Sequence, residues 1–164
     1  MYEGLPTVEA HRFMDLDQVL SEVNYLEADE VIFGDSYCSK EELLFAINFD
    51  YQVSIIPIKL NPNLSEAELS QINKIHQNRL DATPYFVRSS VRSSEVIESN
   101  NTINRFIGDV TIDNFGMKRY MGEVCIMLKD LGSDDRVNVV GKVVSIDTLE
   151  LIEPGRKFKF KIVE

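Results

Sequence analysis

The stretch Arg105–Val124, RFIGDVTIDNFGMKRYMGEV, decides the fold. In an extended chain Phe106, Gly108, Val110 and Ile112 fall on one face, and Asp109, Thr111 and Asp113 on the other. Phe115-Gly116 supplies a turn, and a second strand is expected over 119–129. The same period of two recurs outward from this hairpin, near 84–88, 136–146 and 157–163, with turns at Gly132-Ser133 and Pro154-Gly155. Tyr51–Leu60 is one more β-rich run. Ser65 and Glu68 form a capping box that opens a helix reaching about Asn78, closed by His76 and Arg79. Residues 51–164 therefore predict a mainly antiparallel domain with one prominent helix, a small closed β-barrel.

The first 50 residues read differently. Leu5–His11 predicts a short strand. Asp15–Leu26 predicts a helix whose Leu16, Val19, Leu20, Val23 and Leu26 form one stripe. Glu30–Gly34 predicts a short buried strand, and Ser39 with Glu42 a capping box for a helix through Ile47. The order β-α-β-α implies a parallel sheet with helical crossovers. Charge marks the same boundary. Residues 1–50 hold 12 acidic and 2 basic side chains, whereas 51–164 hold 15 of each, so the whole net charge of −10 sits in the first third.

Composition narrows the function classes. An acidic chain without a basic stripe is a poor nucleic-acid binder. No apolar run approaches the roughly 20 residues of a membrane span, and the start lacks the features of a signal peptide. Cys38 and Cys125 are far apart and belong to no Cys-x-x-Cys pair, so neither a disulfide framework nor a metal site is expected, and a cytoplasmic location is the default. No cofactor is expected either. A two-stranded parallel sheet of about 50 residues buries too little surface to stand alone. A (β/α)₈ barrel takes roughly 200–250 residues, so this segment is expected to be a quarter of one, continued by units toward the amino end.

Seven blocks carry a resemblance: GLPTVEAHR (4–12), DEVIFGDSYCSKEEL (29–43), HQNRLD (76–81), VRSSVR (87–92), NRFIGDVTIDN (104–114), KRYMGEV (118–124) and DRVNVVGKV (135–143). In this order they resemble the 6-phospho-N-acetylmuramidase family, bacterial glycosidases also labelled outer surface proteins. The resemblance implies a TIM barrel followed by a cyclophilin-like β-barrel. Residues 1–50 would supply the last two βα units of the first, and 51–164 the whole of the second. It implies cleavage of cell-wall-derived disaccharides that carry a 6-phosphate on N-acetylmuramic acid, in peptidoglycan recycling, with a phosphorylated amino sugar as ligand. With the earlier βα units absent, the chain is expected to be inactive alone. The alternative is a free-standing module that binds a phosphorylated sugar or a partner protein. Prolyl isomerisation has only fold analogy behind it. Self-association over an exposed sheet edge is a further possible partnership.

Candidate site residues fall in four groups. Glu9, His11 and Arg12 would sit at the carboxyl end of the first strand, where they protonate a glycosidic oxygen or grip a phosphate; alternatively Glu9 and Arg12 form an ion pair with His11 packed beside it. Asp35, in Gly34-Asp35-Ser36, precedes a helix, where barrels often bind phosphate; the plainer alternative is a tight turn and a Ser39 cap. Arg105, Asp109, Asp113, Asn114, Arg119 and Tyr120 bind a polar ligand, dock against the barrel mouth, or form a cross-strand network, with Asp113 and Asn114 capping the turn and Arg119 paired with Asp113. Asp109 and Asp113 are no glycosidase pair: four strand residues span about 13 Å, against the roughly 5–9.5 Å such carboxylates need. Arg88 and Arg92 hold a phosphate or are plain surface arginines. No catalytic residue is assigned.

Overall fold

The computed structural model describes residues 8–34, 37–81 and 83–164. Seven strands form one mixed sheet: β1 (Val53–Leu60), β2 (His76–Gln77), β3 (Phe86–Arg88), β4 (Asp109–Asp113), β5 (Val124–Met127), β6 (Val137–Val143) and β7 (Lys157–Ile162), in the order β2-β7-β1-β6-β4-β5-β3. Every pairing is antiparallel except β1 with β7. The two edges come back together. Asn78 bridges Ser89, the Arg79 amide donates to the Arg88 carbonyl at 2.9 Å, and the Ser90 amide donates to Gln77 at 2.9 Å. The sheet is thus a nearly closed barrel, which relieves β2 and β3 of unpaired edges.

One face of the sheet carries the core. Ile56, Ile58, Val87, Val110, Ile112, Val124, Ile126, Val140 and Phe158 pack there, with Ile72 of α3 (Glu66–Ile72) and Ile97. The period-two pattern of the sequence is what places them on a single face. The opposite face of β4 and β5 is also buried but polar: Asp109, Thr111, Asp113, Glu123 and Cys125 are all under 10% exposed.

The amino-terminal segment packs through its first helix. α1 (Leu16–Tyr25) buries Leu20 completely, and Ser21 Oγ accepts from the Ile55 amide at 3.0 Å. That bond serves a β1 amide ahead of the β6 pairing, which starts at Ile58. Lys161 of β7 donates to Asp17 at 2.8 Å and holds Asp15, the residue that caps α1. Ser39 caps α2 (Lys40–Asn48) with the expected reciprocal box to Glu42. Among the described residues no helix is long and apolar enough to cross a membrane.

Three expectations need correction. Glu9–Phe13 is a 3-10 helix, so the strand expected over 5–11 is absent from 8 onward, and 5–7 lie outside the described residues. Residues 30–34 form no strand, and Val31 and Ile32 are exposed. A parallel strand exists only against hydrogen-bonding neighbours, and the described residues give this stretch none. The helix after Ser65 stops at Ile72, because His76 turns inward as part of β2. His76 is fully buried, its ring 5.2 Å from Phe158 and 5.4 Å from Phe160, and its Nδ1 2.9 Å from Ser89 Oγ. It closes the barrel rather than ending a helix.

Two outcomes follow from this packing. Gly122 has φ +85°, and a Cβ there would lie 2.3 Å from the Ser93 nitrogen. Gly122→Ala is expected to cost at least ~2 kcal/mol in urea denaturation; a loss under about 0.5 kcal/mol would contradict the packing. Burial pushes His76 down to about 4. The folded protein keeps the ring neutral while the unfolded chain protonates near 6.5, so stability present above 6.5 is lost as pH falls toward 4, by up to about 3 kcal/mol. His76→Gln should remove that component from the pH–stability curve.

Candidate functional site

The polar face of β3, β4 and β5 follows from register. Arg88 stands opposite Cys125, and Cys125 opposite Thr111, so their side chains share a face with Asp113 two residues further along β4 and Glu123 just ahead of β5. Glu123 is fully buried. A carboxylate so placed must be paired, and three arginines surround it. Arg88 Nε donates to Oε2 at 2.5 Å, Arg92 Nε donates to Oε1 at 2.9 Å, and Arg79 Nη1 stands 3.8 Å away. Arg79 is held in place by a two-pronged bond to Asp81, 2.7 Å at each prong.

Tyr120 lies across this cluster. The guanidinium carbons of Arg119, Arg88 and Arg92 sit 4.7, 5.0 and 5.4 Å from its ring centre, and Arg119 Nη2 donates to its hydroxyl at 2.6 Å. Such contacts between a cation and an aromatic face are each worth about 0.5–2 kcal/mol. The loop carrying these groups is tightly fixed. Asn114 Oδ1 accepts from the Gly116 amide at 2.9 Å, and Asn114 Nδ2 donates to Asn138 at 2.9 Å. Gln71, itself buried, donates to the Gly122 carbonyl at 2.6 Å. Lys118, between cap and clamp, adopts φ +53° and ψ −112°. That left-handed backbone costs of order 1–3 kcal/mol in a non-glycine residue and persists only where its surroundings impose it.

Electrostatically the cluster is an exception in an acidic chain. Arg79, Arg88, Arg92 and Arg119 face three carboxylates, Glu123, Asp113 and Asp81. Asp113 is 5% exposed, and burial pushes its carboxyl up to about 7; Arg88, whose Nη2 is 3.6 Å away, opposes the rise, and Glu123 and Asp134 add to it. Both hydrogen bonds to Glu123 use Nε, so the Nη groups of Arg88 and Arg92 are not spent on it. An arrangement of three guanidiniums over one aromatic ring, with the Nη groups of Arg88 and Arg92 uncommitted to Glu123, suits an oxyanion such as phosphate. Cys125 shares this face, but burial pushes its thiol up, so it offers no thiolate.

Of the expected residues the structure brings together Asp113, Arg119 and Tyr120 with Arg88 and Arg92, and Asn114 fixes the loop that carries them. The other expected residues are elsewhere. Glu9 and Arg12 form an ion pair at 2.6 Å on the 3-10 helix, and His11 Nε2 is 3.4 Å from Glu22. Asp35 lies outside the described residues. Arg105 donates through Nε and Nη2 to the Gly132 carbonyl, at 2.9 and 2.7 Å, which fixes a loop. Asp109 accepts from the Phe106 amide at 2.7 Å. The expected pairing of Arg119 with Asp113 is replaced by Arg88, because β3 lies beside β5 and brings Arg88 across the sheet. Glu123 and Arg79 were not among the expected residues. Glu123 could have been found as the inward carboxylate two residues before Cys125 in KRYMGEV; Arg79 has no such signal, since only barrel closure brings it near.

A depression of about 400 Å³ lies elsewhere, lined by Asn24, Tyr51, Gln52, Gly155, Arg156 and Lys157. There Arg156 is committed to Ser54 Oγ and the Tyr51 carbonyl.

Comparison with known proteins adds the family. Two family models match: "6-phospho-N-acetylmuramidase, C-terminal" over residues 54–161, and "6-phospho-N-acetylmuramidase, N-terminal" over residues 1–48. Among solved structures, an uncharacterized Bacillus cereus protein is 27% identical with a TM-score of 0.75, covering 96% of this chain and 47% of its own. A conserved Enterococcus faecalis protein of unknown function is 31% identical with a TM-score of 0.63, covering 97% of this chain and 44% of its own. A search of curated proteins gives no match. The chain therefore spans about half the length of these solved relatives. With both models matched in order, the chain belongs to the 6-phospho-N-acetylmuramidase family.

Proposed function

We propose that this chain is the carboxyl-terminal part of a glycosidase acting on disaccharides with a 6-phosphorylated N-acetylmuramic acid, and that its arginine cluster binds the phosphate. The observation that carries the reading is the set of three guanidiniums around Tyr120, with Arg79 beside them, over a buried Glu123. A phosphorylated sugar distinguishes itself from its parent by one dianion, and this is the cationic feature built to receive it.

Residues 1–50 would be the end of an α/β barrel and 51–164 a separate β domain. The exposed apolar side chains Val31, Ile32, Leu43, Leu44, Phe45 and Ile47 support this division, since so many exposed large apolar groups in one short segment suit a covered surface. In this reading the preceding βα units cover it and bring further catalytic groups, so the chain alone does not turn over substrate. The reaction belongs to cytoplasmic recycling of cell-wall fragments. A second reading, a self-sufficient sugar-phosphate module, draws on the closure of the β sheet upon itself. Hydrolysis of a 6-phosphorylated muramyl disaccharide by a full-length relative but not by this chain is the outcome expected.

Calorimetry with N-acetylmuramic acid 6-phosphate should show binding that unphosphorylated N-acetylmuramic acid lacks. Arg92→Ala, at a half-exposed side chain, should weaken it roughly 10- to 100-fold. Equal binding of the two sugars would overturn the reading. Removing the template is a separate test. Glu123→Gln leaves Arg88 and Arg92 without their buried partner and should lower stability by about 3–5 kcal/mol; a neutral effect would mean that the arginines are not held by it.

A further inference from the structure

We propose that Asp113 gates the anion site: neutral, it admits an oxyanion to the arginines, and ionised, it competes for Arg88 as an internal anion. This role rests on the arginine cluster binding an oxyanion. The geometry is specific. Arg88 Nε is taken by Glu123, and its Nη2 points toward Asp113 Oδ2 at 3.6 Å, beyond hydrogen-bond range. A ligand oxygen bound to that Nη2 at about 2.8 Å would lie no more than about 6.4 Å from Asp113 Oδ2. Two negative charges at that separation, on a face from which water is largely excluded, repel strongly. The anion and an ionised Asp113 therefore exclude one another, and the bound state holds one proton at Asp113.

The surroundings leave Asp113 free to change charge. Arg88 faces it from β3, Cys125 from β5 and Glu123 from the residue ahead of β5, with Arg105, Asp134 and Arg136 acting from the loops. Glu123 is held by Arg88 and Arg92, Arg105 is tied to the Gly132 carbonyl, and Arg136 and Asp134 pair with one another at 2.8 Å. No hydrogen bond to the Asp113 carboxyl is present among the described residues, so nothing there locks it ionised. Its placement near neutrality by burial is what brings the gate into a usable range. The consequence is a site that takes up a proton with its ligand and releases the ligand as pH rises.

Inorganic sulfate is the probe, because its own charge does not change between pH 6 and 9. Its Kd for the whole chain, measured by calorimetry, should rise about tenfold per pH unit above 7, close to a hundredfold from pH 6 to 9. Asp113→Asn should hold the Kd constant within about twofold over the same range. Should that variant fail to fold, the carboxyl carbon chemical shift of Asp113 in the unaltered chain gives a second readout, and its titration midpoint should move upward when sulfate is added. A pH-independent Kd, an Asp113→Asn variant that keeps the slope, or a midpoint unmoved by bound sulfate would each overturn the gate while leaving the anion site standing. No sulfate binding at pH 6 would overturn both.

Discussion

A single buried carboxylate organises the polar side of this domain. Glu123 has no exposure to water, and a carboxylate in that position is tolerable only with cations at hydrogen-bond distance. That constraint reaches across the sheet. It draws Arg88 from β3 and Arg92 from the segment beyond it, and it makes room for Arg79 at the point where the barrel closes. Tyr120 covers the cations, and the fixed loop from Asn114 to Gly122 covers Tyr120 in sequence. Without Glu123 the arginines would have no common geometry, only a common neighbourhood.

The rest of the sheet serves this arrangement. The antiparallel pairings β3–β5 and β4–β5 set which side chains stand abreast, and the hydrophobic face beneath them fixes the register. His76 has a complementary part. Packed between aromatic rings and Ser89, it joins the two edges of the sheet and so determines where Arg79 emerges.

The β domain was legible because alternation is a local property. Val110 and Ile112 against Thr111 and Asp113 announce a strand without knowledge of the partner, and the Ser39 and Ser65 boxes announce helix starts within four residues. What alternation could not supply was the fate of segments that depend on distant chain. Val31 and Ile32 have strand composition but, among the described residues, no neighbour to pair with. His76 looks like the end of a helix until the barrel closes on it. The site was legible in the same measure. Asp113, Arg119 and Tyr120 drew notice through their density in one hairpin, and the family followed from ordered blocks of residues. Arg88 and Arg92 read better as surface arginines, because the group that gives them purpose lies more than thirty residues away. Burial, which makes Glu123 a template and Asp113 a titrating group near neutrality, leaves no trace in residue type.

The central claim is that Glu123 and Arg88 act as one unit. A double-mutant cycle on chemical stability, with Arg88→Ala, Glu123→Gln and the pair, measures this directly. The account predicts a coupling of about 2 kcal/mol or more, because either single change strands a buried or partly buried charge that the double change removes. Additive effects, with coupling below about 0.5 kcal/mol, would contradict it.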